Sequence, residues 1–465
     1  MGRFPWMIHL SALEHAAFVL GGLLVYVVVT RISKQRRHPS AAIAWTMTIA
    51  AVPYLGVPLF LLFGTRKFAR ARRHAPIAAS SGDTDTGAAW ARQLLASMEV
   101  PAPVRSHSIA FDNDGATARR DLFALIEGAR ERVDISTYVL GADAFGAAFA
   151  DLLCRRARAG VRVHLLLDAI GSLWMARPQL RLLRAAGVEV RWFMPLLHNP
   201  LRGRTNLRNH RKMVICDGSL MWSGGRNLRG EYFDDAPGSQ AWVDLSFIVK
   251  GSLALQAQAL FARDWRLASG NRDSLPAPAM ATLDAPDGAR VQLVPSGPDY
   301  ADDTVYALLL AGAYRANRRI LAVTPYFVPD DALVSAWCMA CRRGVEMTLV
   351  LPRVSNHRLA DWARERALRE LAGAGARVLL YPAMLHAKLV VIDDDLALCG
   401  SVNLDGRSLF LNFELMTAFH GEAQIAWLAG WAEKQVAQSA PYDATPPALW
   451  RDVCEGVVRS VGFQL

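Results

Sequence analysis

The chain has 465 residues, 52% of them hydrophobic and 20% charged, with a formal net charge of +10. That length suits more than one domain and a large core. The charge is concentrated: the first 75 residues hold ten Arg or Lys and one acid, Glu14, so the rest is nearly neutral, unlike the basic groove expected of a nucleic-acid enzyme.

Two apolar stretches open the chain. AAFVLGGLLVYVVVT (16–30) is uncharged over 15 residues and AAIAWTMTIAAVPYLGVPLFLLFG (41–64) over 24. The second is long enough to span a bilayer, although Pro53 and Pro58 allow a kinked or re-entrant path. One basic residue before the first stretch, no small-x-small site after it and a second apolar run behind it disfavour a signal peptide. An N-terminal transmembrane α-hairpin over 1–75 is expected, with RISKQRRHP (31–39) and RKFARARR (66–73) at headgroup level. Arg3 and the five basic residues at 66–73 outnumber the four in the intervening loop, which leans the following body towards the cytoplasm. Trp6 and Trp45 suit interfacial anchors. An Ala/Ser/Gly-rich linker follows over 76–104.

Beyond it the chain repeats itself. HRKMVICD (210–217) and HAKLVVID (386–393) share His-x-Lys-x-x-x-x-Asp; chance supplies about 0.01 such matches in a chain of this composition. Two of only six lysines occupy the same slot in a chain that otherwise prefers Arg, which points to a compact point charge rather than a planar fork. SGGRN (223–227) and CGSVN (399–403) extend the match downstream. Upstream, RVDISTYVL (132–140) matches RRILAVTPYFV (318–328), RAGVRVHLLLD (158–168) matches RRGVEMTLVLP (342–352), and LLRAAGVEVRWF (182–193) matches LRELAGAGARVLLY (368–381). Short apolar runs alternating with helical patterns predict an α/β fold of two similar lobes, 105–275 and 276–465, each a mixed sheet flanked by helices. The shared site should lie where the two motifs meet. The second lobe ends in an amphipathic stretch (449–462), for which a packed helix is favoured over a bilayer contact.

In each motif His and Lys are two apart and project from one strand face. The Asp is seven from the His and falls on the other face or past the strand end, so Asp217 and Asp393 suit anchors of the following turn. A separate carboxylate must orient each imidazole; Asp244 in WVDL and Glu414 in NFEL are the candidates. Two His, two Lys, Asn227, Asn403 and backbone N–H groups near Gly225 and Ser401 suit a phosphodiester, whose oxygens gain charge as a fifth bond forms. One His attacks phosphorus and the other shuttles the proton. The lysines supply the charge, so neither metal nor cofactor is called for. The six cysteines show no disulfide framework, and Cys338 and Cys341 read as a buried helix face rather than a zinc site. Trp242, Trp265 and Trp337 read as core, and Tyr138 and Tyr326 as equivalent strand ends near the site.

The double HxKxxxxD with its downstream G-[GS]-x-N resembles the phospholipase D superfamily over about 105–440. RTNLRNHRK (204–212), GGRNLRGEYF (224–233), GSVNLDGRSLFLNFE (400–414) and PYLGVPLFLLFG (53–64) are similar to the bacterial cardiolipin synthases of that type. The resemblance implies catalytic His210, Lys212, Asp217, His386, Lys388 and Asp393, with His210 as nucleophile and His386 as acid/base. It also implies transfer of a phosphatidyl group between two phosphatidylglycerols in the bacterial inner membrane, with anionic phospholipid and the membrane as partners and no nucleic acid. The residues themselves treat the two histidines symmetrically. They leave open water or another head group as acceptor, a phosphodiesterase on nucleic acid, and the oligomeric state. GGRN in place of GSVN makes the half-sites unequal.

Overall fold

The computed structural model describes residues 12–32, 39–64, 67, 88–195, 205–235, 240–270, 275, 285 and 287–460. Arg3, Trp6, most of both basic stretches, residues 76–87 of the linker and the last five residues lie outside these.

Three helices come first: α1 (Ala12–Ile32), α2 (Pro39–Ala51) and α3 (Pro53–Phe63). Among the described residues only α1 is long and apolar enough to cross a membrane; α2 and α3 are shorter apolar helices. The second apolar stretch is therefore not one span. Val52 is extended (φ −142°, ψ 71°) before Pro53, because a proline pushes its predecessor out of the helical region and then suits the first helical position. Gly22 and Gly56 let the three helices approach: a Cβ on Gly22 would meet Ile49 Cγ2 at 2.8 Å, and one on Gly56 would meet the Ile49 backbone at 2.9 Å. Phe60 fills the centre, with the rings of Tyr26 and Trp45 at 5.1 and 5.4 Å. Trp45, half-buried, thus packs its ring against Phe60.

After α4 (Ala89–Ser97) the first lobe runs β1 (Val104–Asp112), α5 (Gly115–Glu127), β2 (Arg132–Thr137), α6 (Ala144–Arg158), β3 (Arg162–Asp168), α7 (Arg177–Ala185), β4 (Glu189–Phe193), β5 (Met213–Cys216), β6 (Leu220–Gly224), β7 (Ser246–Gly251) and α8 (Ser252–Ala268). The second runs β8 (Ala289–Ser296), α9 (Thr304–Arg315), β9 (Arg319–Val323), β10 (Phe327–Val328), α10 (Asp331–Arg342), β11 (Glu346–Pro352), α11 (Arg358–Gly373), β12 (Arg377–Tyr381), β13 (Leu389–Ile392), β14 (Leu396–Gly400), β15 (Leu404–Asp405), α12 (Gly406–Phe410), β16 (Glu414–Phe419), α13 (Glu422–Ala437), β17 (Ala440–Pro441) and α14 (Leu449–Ser460). Helix starts follow the sequence: Asp114, Asp143, Asp330 and Asp405 each accept a backbone N–H of the first turn.

From the centre outward the strand orders are β1-β7-β6-β5-β2-β3-β4 and β8-β16-β14-β13-β9-β11-β12, the same order twice. The motif strands β5 and β13 each lie antiparallel between a hairpin partner and the first strand of a parallel trio. Rather than two separate sheets, β1 and β8 join antiparallel through Val104–Val291, Arg105–Arg290 and Ser106–Ala289, giving one 15-stranded sheet. Alternation along the strands distributes the core. Met213, Ile215, Leu389 and Val391 enter a cluster that both lobes fill together with α8 and α13. Val214 and Cys216 face the helices of the first lobe, and Val390 and Ile392 those of the second. A shared core fixes the lobes against each other, and the two motifs with them.

Candidate active site

His210 and His386 each sit just before a motif strand, and each is pinned by the opposite lobe. His210 N–H donates to Phe413 O (2.8 Å) and Phe413 N–H to Arg208 O (2.8 Å); His386 N–H donates to Val243 O (2.7 Å) and Val243 N–H to Met384 O (3.0 Å). These two crossings place each lobe's carboxylate beside the other lobe's imidazole. His210 Nδ1 lies 2.9 and 3.0 Å from the Glu414 oxygens, and His386 Nδ1 lies 2.7 Å from Asp244 Oδ2. Burial raises both acids, but in each case the neighbouring His and Lys outweigh it and hold the carboxyl below its ordinary range. Ionised carboxylates only accept, so each Nδ1 carries the proton and each Nε2 presents its lone pair.

Burial depresses the histidines, to about 4 at His210 and about 3 at His386, against the opposing pull of Glu414 and Asp244. It also lowers Lys212 to about 7 and Lys388 to about 8. Lys388 acts on His210 and Lys212 on His386, so the half-sites are within electrostatic reach. Each lysine folds back on its own histidine: Lys212 Nζ donates to His210 O at 2.9 Å, and Lys388 Nζ donates to His386 O and lies 2.8 Å from Nδ1 and 3.0 Å from Nε2 of the same ring.

The structure does not bring Asp217 and Asp393 to this cluster. Each follows its motif strand at the end remote from the histidine, roughly 13 Å of strand away. Asp217 accepts the backbone N–H of Arg130, Glu131 and Arg132 at 2.8–2.9 Å. Asp393 does the same for Asn317, Arg318 and Arg319 at 2.8–3.0 Å. Both stand at positive φ, +52° and +50°, a turn conformation that Asp tolerates.

The backbone donors expected for phosphate are already used. Gly225 N–H donates to Leu245 O and Ser401 N–H to Leu415 O. These two residues instead support the carboxylates, differently in each lobe. Ser401 Oγ donates to Glu414 Oε2, and Asn412 Nδ2 reaches Oε1 at 3.2 Å. Gly225 makes room: a Cβ there would lie 2.2 Å from Asp244 Oδ1. Asn227 and Asn403 are buried at the site with Oδ1 unpartnered; Asn227 Nδ2 donates to Tyr232 OH at 2.7 Å.

Aromatic residues wall the histidines. Tyr138 stands edge-on to His210 at 5.1 Å, while Tyr232 and Trp242 lie 5.0 and 5.5 Å from His386. Trp242 is thus a wall of the site; Trp265 and Trp337 are core. Tyr326 is not the counterpart of Tyr138. Thr137 and Thr324 hydroxyls each bond the carbonyl two residues on, which aligns Tyr138 with Pro325, and Tyr326 instead donates to Asn356. Sequence reasoning also passed over Arg407, which holds Asn206 through Oδ1 at 3.0 Å and O at 2.8 Å and acts on Tyr138. Its repeat equivalent, four residues past the motif Asn, is Glu231, half-buried near Tyr232 and Tyr326. Among the described residues no group of three His, Cys, Asp or Glu side chains could hold a metal ion.

The family model for cardiolipin synthase, PLD-like domain, matches residues 122–265 and 310–435, one stretch on each motif. The chain belongs to that family. A phospholipase D-nuclease N-terminal model matches residues 22–64, the helices ahead of the lobes. Cardiolipin synthase A of Shigella boydii serotype 4 (strain Sb227) is 30% identical over 459 residues, covering 93% of this chain and 94% of that protein; the protein of Escherichia coli (strain K12 / DH10B) matches to the same extent. The crystal structure of phosphatidylserine synthase from Haemophilus influenzae Rd KW20 shares the fold, with a TM-score of 0.62 over 81% of this chain and all of that one, at 14% identity. Membership in the cardiolipin synthase, PLD-like family accounts for the duplicated lobes and implies phospholipid substrates and membrane association.

Proposed function

We propose that this chain is a cardiolipin synthase that transfers a phosphatidyl group from one phosphatidylglycerol to a hydroxyl of another, releasing glycerol. The observation that carries the reading is the pair of buried imidazoles, each with Nδ1 held by a carboxylate of the opposite lobe. In the first step His210 Nε2 attacks phosphorus, the bond from phosphorus to the glycerol oxygen breaks, and His386 gives that oxygen its proton. In the second step neutral His386 takes the proton of the acceptor hydroxyl, the alkoxide oxygen attacks phosphorus, and the P–N bond breaks. The free site keeps both histidines neutral and discourages charge on its lysines. An anionic diester reverses that balance, so binding draws protons in, charges His386 and pulls both ammonium groups onto the phosphate oxygens. Asn227 and Asn403 would turn amide N–H groups to the same oxygens.

The repeat's inequality supports the assignment of roles. Arg407 places a cation beside the Tyr138–His210 side, which favours the anionic phosphatidyl group there. Glu231 lies towards His386, where a glycerol hydroxyl is the better guest. Among the described residues α1 alone is long enough to cross a membrane, so a multi-pass inner-membrane protein with its catalytic body on the cytoplasmic side would need α2 and α3 to complete a second crossing together.

The test is full-length protein with phosphatidylglycerol alone, followed by lipid and peptide mass spectrometry. Cardiolipin and glycerol from wild type, neither from His210→Ala nor His386→Ala, and a phosphatidyl adduct on the His210 peptide after rapid denaturation at neutral pH are expected. Phosphatidic acid without cardiolipin would make water the acceptor. An adduct on His386 would exchange the two roles.

A further inference from the structure

Three exposed apolar surfaces rim the site and are not used by the chemistry. The loop after β3 carries Leu173 and Trp174, 56% and 85% exposed. Its repeat equivalent after β11 carries Val354, 66% exposed. The third is α14. An amphipathic helix on a soluble body packs its apolar face inward, but α14 turns the charged Glu455 in to Arg369 of α11 at 2.7 Å, while Leu449, Trp450 and Val453 are 80%, 66% and 58% exposed, beside exposed Arg451 and Asp452.

All three are tied to the site's walls. In the first loop Ser172 Oγ donates to Tyr138 O at 3.0 Å, and Asp168 takes the backbone N–H of Ile170 and Gly171 together with that of Asn209, next to His210. In the second, Asn356 accepts from Tyr326 OH. Val458 of α14 packs with Tyr326 and Val328. The N-terminal helices end nearby. Lys67 donates to the carbonyls of Gly297, Tyr300 and Asp302 at 2.9–3.2 Å and pairs with Asp303 at 3.0 Å. That loop follows Ser296, which pairs with Glu414 at the site end of the sheet. Only two residues lie between Lys67 and the end of the apolar segment at Gly64, three chain steps that reach at most about 11 Å.

We infer that the Trp174 loop, the Val354 loop and the outward face of α14 together seat the catalytic body on the lipid bilayer, with the mouth of the site against the headgroup layer. The occupant is a lipid surface because α1 already offers a membrane-crossing length to the same chain and its helical segment ends at this rim. A phospholipid whose phosphorus must reach the buried Nε2 atoms also needs apolar surface beside the mouth for its acyl chains. The exposed tryptophans suit that boundary, where one end of the ring is wet and the other apolar. This inference rests on phospholipid being the substrate.

The test uses the full chain in phosphatidylglycerol/phosphatidylcholine nanodiscs. Cys454, exposed on α14, takes a spin label in a Cys341→Ser background, and a second protein carries the label at Trp174→Cys with Cys341→Ser and Cys454→Ser. Relaxation of both labels by oxygen, which concentrates in lipid, should exceed relaxation by a water-soluble nickel chelate. The reverse order would overturn the inference, and so would shielding from both agents, which would mean a protein partner or a second copy covers the face. Trp174→Ser combined with Trp450→Ser should lower turnover of bilayer phosphatidylglycerol about a hundredfold, a factor near ten for each large apolar side chain kept from the interface. Turnover of monomeric short-chain phosphatidylglycerol should be unchanged. Equal activity of variant and wild type on bilayers would also overturn it. Lipid-exposed labels on a wild type inactive towards both substrates would refute the proposed activity and leave the surface standing.

Discussion

Glu414→Gln isolates the crossed pairing. The carboxylate lies 2.9 Å from His210 Nδ1 and belongs to the other lobe. It does two things for the nucleophile: it keeps the proton on Nδ1 so that Nε2 is free, and it stabilises the positive charge that the ring acquires when Nε2 bonds phosphorus. A charge pair about 4 Å apart at an effective dielectric near 20 is worth about 4 kcal/mol, which is about a thousandfold in rate. The amide also brings a donor where only acceptors belong. Ser401 Oγ and Asn412 Nδ2 already donate to the two oxygens, so an amide NH2 on either side meets a donor unless it turns to Nδ1 and forces the proton onto Nε2. Both effects point the same way. Turnover of phosphatidylglycerol should fall about a thousandfold with binding nearly unchanged, and the phosphatidyl adduct on the His210 peptide should disappear. Glu414→Asp, which keeps the charge but draws it back, should recover part of the loss. A Glu414→Gln enzyme within about threefold of wild type would refute the orienting role.

Asp393→Asn should lower the melting temperature, since charge-assisted bonds to three backbone N–H groups weaken at a cost of about 1–3 kcal/mol, while kcat of the folded protein stays near wild type; a selective loss of kcat would place Asp393 in the chemistry. Gly225→Ala should act like loss of Asp244, because its Cβ needs the space of Oδ1, and should lower kcat at least tenfold with the fold intact by circular dichroism. Lys212 is lowered from its ordinary 10.5 to about 7 by burial. The unfolded chain therefore holds more protons between those values, and stability without substrate should rise with pH from about 7 to 10. Lys212→Met should flatten that part of the melting-temperature profile. The histidines, lowered from 6.5 to about 4 and about 3, should make the free enzyme lose stability as pH falls from about 6.5 to 4, and His386→Gln should weaken that fall.

The duplication was legible because a strand, a motif and a turn repeat as strings. HxKxxxxD, the G-x-x-N that follows and the matched apolar runs identify β2, β3, β5 and β6 with β9, β11, β13 and β14 without any contact being known. The odd offset of Asp217 and Asp393 from their histidines told which face they leave on, and their turn-anchoring bonds agree with it. Pairing was not legible. Asp244 follows His210 by 34 residues and Glu414 follows His386 by 28, yet each serves the other lobe, because the link is made by backbone bridges between Asn209 and Phe413 and between Val243 and Leu385. Such bridges leave no mark on composition. The role of Gly225 and Ser401 was misread for a related reason: a glycine beside a motif can present its N–H to a ligand or clear space for a neighbour, and only the occupied N–H and the 2.2 Å approach to Asp244 separate the two. The break at Val52 was signalled by Pro53, whereas the inward-facing Glu455 of α14 depends on where Arg369 of another helix stands.

Crossed carboxylates change what a lobe is. One lobe alone holds a His–Lys pair whose orienting acid is missing and an acid whose histidine is missing. The reciprocal arrangement, in which each unit completes the other by the same contacts, is the geometry of a two-fold interface between identical copies; fusion into one chain then frees each half to change separately. The changes have gone in one direction. The second lobe presents Glu414 braced by Ser401, with Arg407 on the His210 side. The first presents the shorter Asp244 against Gly225, with Glu231 on the His386 side. Restoring symmetry should therefore cost specificity before it costs chemistry. Arg407→Glu removes a cation from the His210 side and should raise KM for phosphatidylglycerol more than it lowers kcat. An equal fall in kcat with KM unchanged would show that Arg407 serves the transition state and that the two sides of the site do not differ in the charge they are built to hold.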